Sequence, residues 1–331
     1  MGRRPEAGAP LILGSRRSAL ATRQAEWIAA RLREARHGLR TEIRTFVTRG
    51  DLRGDRPLPE IGGKGLFTAD LEAALLAGDI DLAVHSLKDL PTAAESAPEG
   101  TGLAVLGVPA REDPRDVLVL RGAGLGLADL EPDDRVGTSS ARRAGQLLHA
   151  RPDLRVVSVR GNVETRLARL DAGAAEALVL AAAGLRRLGI EREGVVPLEP
   201  DDWLPAPGQG ALAVQGRADD VETAALVALI DDPHTRAATT AERSLLAALE
   251  GGCHAPVAAL GRVRGAVLEL RAAVYDPGGG RAPVAAAMSG PADRAADLGR
   301  ELAARLLEDG ATGFVGAVAD ASGPDPGSGG A

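Results

Sequence analysis

The chain has one cysteine, Cys253, so it can form no internal disulfide and no cysteine-cluster metal site. Aromatic residues make up 2% of its 331 residues, too few for a base-stacking platform. No run of about 18 uncharged apolar residues occurs, which excludes a transmembrane helix. The N-terminus leads into a short strand-like run rather than an apolar segment of about 7–15 residues, so no signal peptide is expected and the reading is cytoplasmic. The formal net charge of −7 argues against a general nucleic-acid binder. It leaves room for a local basic cleft that takes an anionic small molecule, because clefts focus local field rather than net charge. With 45% hydrophobic and 26% charged residues the composition is globular, and the length suggests two or three domains.

Lysine is almost absent too. Of 39 basic side chains only Lys64 and Lys88 are lysines, and the single asparagine is Asn162. Where arginine serves nearly every cationic position, a retained lysine points to a need for a compact ammonium with three donors, against chance retention at a solvated surface. Both lysines lie in turns marked by Gly or Asp.

The pattern along the chain alternates strands and helices. Residues 11–14 read as a buried strand. Ser18 caps a helix running to about 35, with Leu20, Trp27, Ile28 and Leu32 on one face. Residues 41–48 alternate as a strand with Ile43, Thr45 and Val47 on one side. A helix over 66–77 is stopped by Gly78, and a strand over 80–86 leads into Lys88 and Asp89. Further on, strands at 117–120, 154–159 and 177–182 alternate with helices opened by Gly137-Thr138-Ser139-Ser140 and by Gly161-Asn162. This alternation predicts parallel sheets covered by helices on both faces. Residues 205–210 read as a hinge. From about 233 a helix (236–249), strands near 257–263 and 267–275 and a helix (292–308) suggest a small α+β domain, followed by a Gly/Pro/Ser-rich tail that reads as disordered.

Three strand-to-helix junctions carry arginine where a helix begins: Arg16 and Arg17 before Ser18, Arg142 and Arg143 after Ser140, and Arg160 before Asn162. A helix N-terminus is already positive, so arginine there is unfavourable by about 0.3–1 kcal/mol unless an anion arrives. Backbone amides, hydroxyls and guanidinium forks would converge on it, and phosphate and carboxylate fit equally well. Gly62-Gly63-Lys64-Gly65 lacks the Ser/Thr and leading glycine of a phosphate-binding loop. Asp89 beside Lys88 reads as an acid–base or cation-stabilising carboxylate, against a solvated turn residue. Cys253 in its Gly-Gly-Cys turn reads as an attachment point or nucleophile, against a small buried apolar residue.

Seven motifs together resemble one family. They are Val84-His85-Ser86-Leu87-Lys88-Asp89-Leu90-Pro91, Gly62-Gly63-Lys64-Gly65-Leu66-Phe67, Arg111-Glu112-Asp113-Pro114-Arg115-Asp116, Val136-Gly137-Thr138-Ser139-Ser140, Arg160-Gly161-Asn162-Val163, Pro207-Gly208-Gln209-Gly210 and Glu250-Gly251-Gly252-Cys253. In type, length and order they resemble porphobilinogen deaminase (hydroxymethylbilane synthase), over residues from about 11 to 310. The resemblance implies a transferase that condenses four porphobilinogen molecules head to tail on a covalent dipyrromethane cofactor, losing ammonia each time and releasing hydroxymethylbilane by hydrolysis. It implies two periplasmic-binding-protein-like doubly wound α/β domains plus a small α+β C-terminal domain. Their expected bounds are 10–105 with 211–229, then 110–204, then 233–318, with 319–331 as tail.

By matched motif position, Asp89 is the catalytic aspartate and Cys253 the thioether attachment of the dipyrromethane. Arg16, Ser18, Lys88, Thr138, Ser139, Ser140, Arg142, Arg143, Arg160, Gly161, Asn162 and Arg166 are implied contacts of substrate or cofactor carboxylates. Gln209 is implied at the hinge and Lys64 on a loop over the cleft, where Glu60 departs from the family's usual lysine. The resemblance carries a small-molecule substrate, no nucleic-acid or membrane partner, and a monomer. A two-lobed anion receptor without catalysis would show similar lobes; the turn cysteine and the missing export signal weigh against it.

Overall fold

The computed structural model describes residues 9–47, 68–92, 102–122, 126–249 and 255–315. The first sheet begins with β1 (Leu11–Arg16), which leads into α1 (Ala19–Ala35). Ser18 caps α1 by accepting from the Ala21 amide at 3.3 Å, as its position before the apolar stripe predicts. The buried face of α1 is Gln24, Ala25, Ile28, Ala29 and Leu32. Trp27, expected on that face, is 37% exposed, and Leu20 is only half-buried. The 3.6-residue period puts 25, 28, 29 and 32 in one stripe and rotates 27 off it. Small alanines, not the indole, let the helix approach the sheet.

β2 (Thr41–Phe46) pairs with β1 in parallel register and forms an edge. Only part of its expected inner face is realised: Ile43 packs on the α1 side, but Thr45 is exposed and Val47 is 46% exposed. α2 (Ala69–Ala77) ends at Gly78, whose φ of 77° is the left-handed cap that glycine accepts without strain. β3 (Leu82–Ser86) is the buried centre of the sheet and runs into a single 3₁₀ turn, Leu87–Asp89. β4 (Leu103–Gly107) completes this pass of the chain.

The second sheet takes β5 (Asp116–Leu120), β6 (Arg135–Gly137), α3 (Ala141–Ala150), β7 (Arg155–Val157), α4 (Val163–Asp171), β8 (Ala177–Ala181), α5 (Ala182–Leu188) and β9 (Val195–Leu198). β7 is shorter than the expected 154–159, because both flanking residues leave the ladder while Leu154 and Val159 stay buried. The chain then returns. β10 (Leu212–Arg217) inserts between β3 and β4, giving the orders β2-β1-β3-β10-β4 and β7-β6-β8-β5-β9. In each sheet one strand, β10 or β5, is antiparallel to its neighbours, and it is the strand that arrives from the other lobe. Both sheets are therefore doubly wound, with a double crossover between them.

Each sheet is apolar on both faces. Ile28 and Leu32 of α1, with Leu226 and Val227 of α6 (Val221–Ala228), cover one side of the first sheet; Leu71 and Leu75 of α2 cover the other. Leu167, Leu170 and Leu185 cover one side of the second, and Leu147 with Trp203 the other. Burial of each such leucine contributes roughly 1.5–3 kcal/mol.

The remainder is α+β. α7 (Pro233–Ala248) starts on an Asp232 cap with proline in its first turn. β11 (Val257–Arg264), β12 (Val267–Val274) and β13 (Val284–Pro291) form an antiparallel sheet, and α8 (Ala295–Leu306) packs beside α7 on one of its faces. The opposite face is also covered, because Ala258, Leu260, Ala273 and Tyr275 close on Leu204 of the returning crossover. α3 abuts the same region at Gly145, where a Cβ would sit 2.6 Å from Cβ of Tyr275.

The two crossover segments run side by side, with the Glu112 amide donating to the Gly210 carbonyl at 3.1 Å. Gly210 holds φ at +86°, and a Cβ there would lie 2.3 Å from the Glu112 oxygen, so only glycine fits. Glu242 of α7 pins this junction. Its fully buried carboxylate accepts from Arg111 at 2.6 and 3.1 Å, from the Gly208 amide at 2.6 Å and from the Gly261 amide at 2.8 Å. One side chain thus ties both crossovers to the third domain. Replacing Glu242 with Ala leaves the Arg111 cation and two amides without that acceptor. The expected loss is about 3–5 kcal/mol in chemical denaturation, with Glu242→Gln losing less because it still accepts.

Candidate active site

Ligand sites in doubly wound sheets form beyond the carboxyl ends of the parallel strands. In the first lobe those ends deliver Arg16 from β1 and the turn bearing Lys88 and Asp89 from β3. In the second they deliver Thr138 to Ser140 after β6 and Arg160 to Asn162 after β7. Residues scattered from 16 to 166 in the chain are thereby gathered at the ends of a few strands.

The three helix N-termini are capped from within. Ser18 accepts from Ala21, Ser140 from the Arg143 amide at 3.5 Å, and Asn162 from the Thr165 amide at 2.8 Å. Their side-chain oxygens thus have backbone donors of their own. Thr138 is buried and accepts from the Ser140 amide at 3.2 Å; Ser139 is exposed and touches Ser158 Oγ at 3.1 Å. Gly161 turns the chain at φ +107°, and Arg166 Nε donates to its carbonyl at 2.8 Å. Burial pushes the Arg166 guanidinium down to about 10, assisted by the charge of Arg143 and opposed by that of Asp89. Arg160 is half-buried beside it.

Arg142 and Arg143 are buried, and each has a carboxylate partner that the sequence pattern leaves unnamed. Arg142 Nη1 donates to Asp116 Oδ2 at 2.8 Å and to the Leu204 carbonyl at 3.0 Å. Arg143 donates to Asp116 Oδ1 through Nε at 3.1 Å and Nη2 at 2.6 Å, and to the Val179 carbonyl at 2.9 Å. Burial alone would push the Asp116 carboxyl up; the two arginine charges and their hydrogen bonds hold it far below the usual carboxylate range.

Gln209 joins the lobes. Its Nε2 donates to Asp116 Oδ1 at 2.9 Å and to the Pro114 carbonyl at 2.7 Å, while its Oε1 accepts from Lys88 Nζ at 3.3 Å. Asp89, next to Lys88, is exposed. It lines a small cavity of about 70 Å³ with Arg16, Ser18, Gln24 and His85. Gln24 Nε2 donates to Ser86 Oγ at 2.9 Å, which locks α1 to the end of β3. His85 is buried with its Nε2 3.1 Å from Gln215 Oε1; burial pushes it down to about 4, with Arg16 adding to the effect, so at neutral pH it is uncharged. Lys64, Glu60, Cys253 and the tail lie outside the described residues.

Sequence reasoning missed Asp116, Trp203, Glu242 and Arg187. Arg187 Nη2 donates to the Gly210 carbonyl at 2.7 Å, and burial pushes it down to about 10. Asp116 and Arg111 close the ends of the quoted Arg111–Asp116 motif, so a charged residue heading an apolar strand was the available signal. Glu242 has no such mark in its helix.

Residues 11–225 match the family model described as porphobilinogen deaminase, dipyromethane cofactor binding domain, and residues 237–308 match the one described as porphobilinogen deaminase, C-terminal domain. The chain belongs to the porphobilinogen deaminase family. The porphobilinogen deaminase of Acidothermus cellulolyticus is 51% identical over 305 residues, covering 91% of this chain and 89% of that protein. Those of Rubrobacter xylanophilus (49%, covering 93% and 97%) and Desulforudis audaxviator (50%, covering 91% and 95%) are similarly close. Membership in the porphobilinogen deaminase family makes the chain an enzyme of the transferase kind, acting on a small molecule, with a domain for the dipyrromethane cofactor.

The lysine of this site carries a measurable signature. Burial pushes Lys88 down to about 8, against the partial opposition of Asp89. It is charged below that pH and neutral above it, whereas an ordinary lysine loses its proton near about 10.4. Amine acylation of the ligand-free chain, followed by peptide mass mapping from pH 6 to 11, is expected to give Lys88 a midpoint near 8. A midpoint at the ordinary value would show a solvated side chain.

Proposed function

We propose that this chain joins four porphobilinogen molecules head to tail on a dipyrromethane primer, releasing ammonia at each step and hydroxymethylbilane by final hydrolysis. Asp89 is the catalytic carboxylate and Cys253 holds the primer through a thioether. The observation that carries this reading is one exposed carboxylate, Asp89, set among Arg16, Lys88, Arg160 and Arg166 at the strand ends, with Arg142 and Arg143 behind them. The donor set fits a group rich in acidic arms. Each pyrrole bears an acetate and a propionate, and guanidinium forks match carboxylates in geometry as well as charge.

The dipyrromethane, when bound, supplies the pyrrole carbon to which the first unit is joined. The chain's own residues do the rest. Arg16, Arg142, Arg143, Arg160 and Arg166 hold carboxylates, with Ser18, Thr138, Ser139, Ser140, Gly161 and Asn162 shaping the helix N-termini around them. Lys88 adds an ammonium held by Gln209, and Lys64 adds the second lysine that the family resemblance implies. Asp89 stabilises the positive charge that develops on the substrate as ammonia departs, a fixed anion aimed at a forming cation. Gln209 keeps the hinge in register with Lys88. The working unit is a monomer in the cytoplasm with the domain bounds 10–105 with 211–229, 110–204 and 233–318. The acidic net charge and 2% aromatic content support a small-molecule rather than a nucleic-acid partner.

Intact-protein mass spectrometry is the direct test. Purified active protein is expected to weigh more than its polypeptide by two pyrrole units, and Cys253→Ser is expected to weigh the bare polypeptide. An active wild-type protein without that surplus would falsify the attachment. Separately, Asp89→Asn is expected to keep the surplus mass yet lose at least about 100-fold in turnover of porphobilinogen, since one fixed charge at the reacting centre is worth roughly that much. Undiminished turnover removes Asp89 from the chemistry.

A further inference from the structure

Asp116 is fully buried and lies at the first position of β5, the strand that enters the second lobe from the first. Five donor contacts converge on its two oxygens. Oδ2 accepts from Arg142 Nη1 at 2.8 Å and from the Trp203 indole at 2.9 Å. Oδ1 accepts from Arg143 Nε and Nη2 at 3.1 and 2.6 Å and from Gln209 Nε2 at 2.9 Å. The acceptor capacity of a carboxylate, about four lone-pair sites, is fully engaged.

The orientation of Gln209 follows from this. Its amide NH₂ has two acceptors, Asp116 and the Pro114 carbonyl, so its oxygen must point away from both. That oxygen is the one that meets Lys88 Nζ at 3.3 Å. A single carboxylate therefore fixes two guanidinium planes in one lobe and, through one amide, an ammonium in the other. The charges do not balance: one anion faces two guanidinium groups, and Lys88 and Arg166 stand nearby. The set stays positive after Asp116 and the neighbouring Asp89 have both been counted.

We propose that Asp116 is the positioning residue of this site, aiming Arg142, Arg143 and, through Gln209, Lys88 together at the carboxylates of one oligopyrrole ligand. The inference rests on the porphobilinogen deaminase reading of the site. Asp116 reaches the ligand only through these other side chains. A purely structural role, tying β5 to α3, would need the ion pairs but not the link through Gln209 to Lys88.

The two roles separate in the holoenzyme. Asp116→Asn removes the negative charge and puts an amide donor among donors. It is expected to lower kcat/KM for porphobilinogen by about 10–100-fold, carried chiefly by KM, because misaimed groups bind substrate poorly. Lys88 faces Asp89, Arg143, Asp116 and Arg142; the two carboxylates support its charged form, Asp89 more strongly than Asp116, and Asp89 is unchanged in the Asp116 variants. The Lys88 acylation midpoint is therefore expected to move down in Asp116→Asn relative to wild type and to return towards wild type in Asp116→Glu. A folded Asp116→Asn with unchanged KM and an unmoved midpoint overturns the proposal. Should that variant fail to fold, Trp203→Phe decides: it deletes one donor to Oδ2 and leaves every charge in place. A several-fold rise in KM with kcat retained is expected, and an unchanged KM overturns the proposal. The midpoint needs no substrate, so it tests Asp116 even if wild-type protein fails to turn over porphobilinogen, a failure that would count against the family reading instead.

Discussion

Gathering guanidinium groups in one place is opposed by their mutual repulsion and by the loss of water around each. Asp116 and Glu242 answer this with buried anions. Asp116 takes Arg142 and Arg143 at the entry to β5, and Glu242 takes Arg111 where the two crossovers meet α7. A buried carboxylate is itself costly unless its lone pairs are filled, and in both cases they are. Removing either anion strands cations as well as losing a bond. The rest of the site depends on this, since the strand ends and the crossovers cannot be placed independently of the charges they carry.

Much of the fold is legible in local chemistry. Ser18, Ser140, Asn162 and Gly78 mark helix ends through hydrogen bonds and backbone angles that involve only neighbouring residues, and each acts as such signals predict. Elements set by distant partners are not legible in this way. No local pattern marks residues 212–217 as a strand, and only the family resemblance returns 211–229 to the first domain; β10 is fully buried because β3 and β4 close on it from both sides. β13 is a run of alanines ending in proline, weak in β propensity, and is extended because β12 supplies its ladder. Trp27 misleads in the other direction: its size suggests a core residue, but the helix period keeps it at the surface.

The site divides along the same line. The motifs point to Arg142 and Arg143, and the junctions at which they sit follow from strand–helix alternation. What the sequence does not show is that their side chains turn inward to Asp116, 26 and 27 residues earlier in the chain. The exposed face around Asp89 and the pairing of Gln209 with Lys88 likewise arise only when residues 121 apart meet. Residue types foretell the chemistry, whereas the pairings that aim it are tertiary.

The interleaved strands also impose an order on biosynthesis. The second sheet draws all five of its strands from one continuous stretch, 116–198, and can close as soon as that stretch has left the ribosome. The first sheet cannot. Its fourth strand, between β3 and β4, is the segment Leu212–Arg217, so the amino-terminal lobe waits with an open slot until nearly two-thirds of the polypeptide has been translated. Of the two lobes, the one made first is finished second, and a nascent chain stalled before that point would expose two apolar strand edges where the mature enzyme has none between β3 and β4.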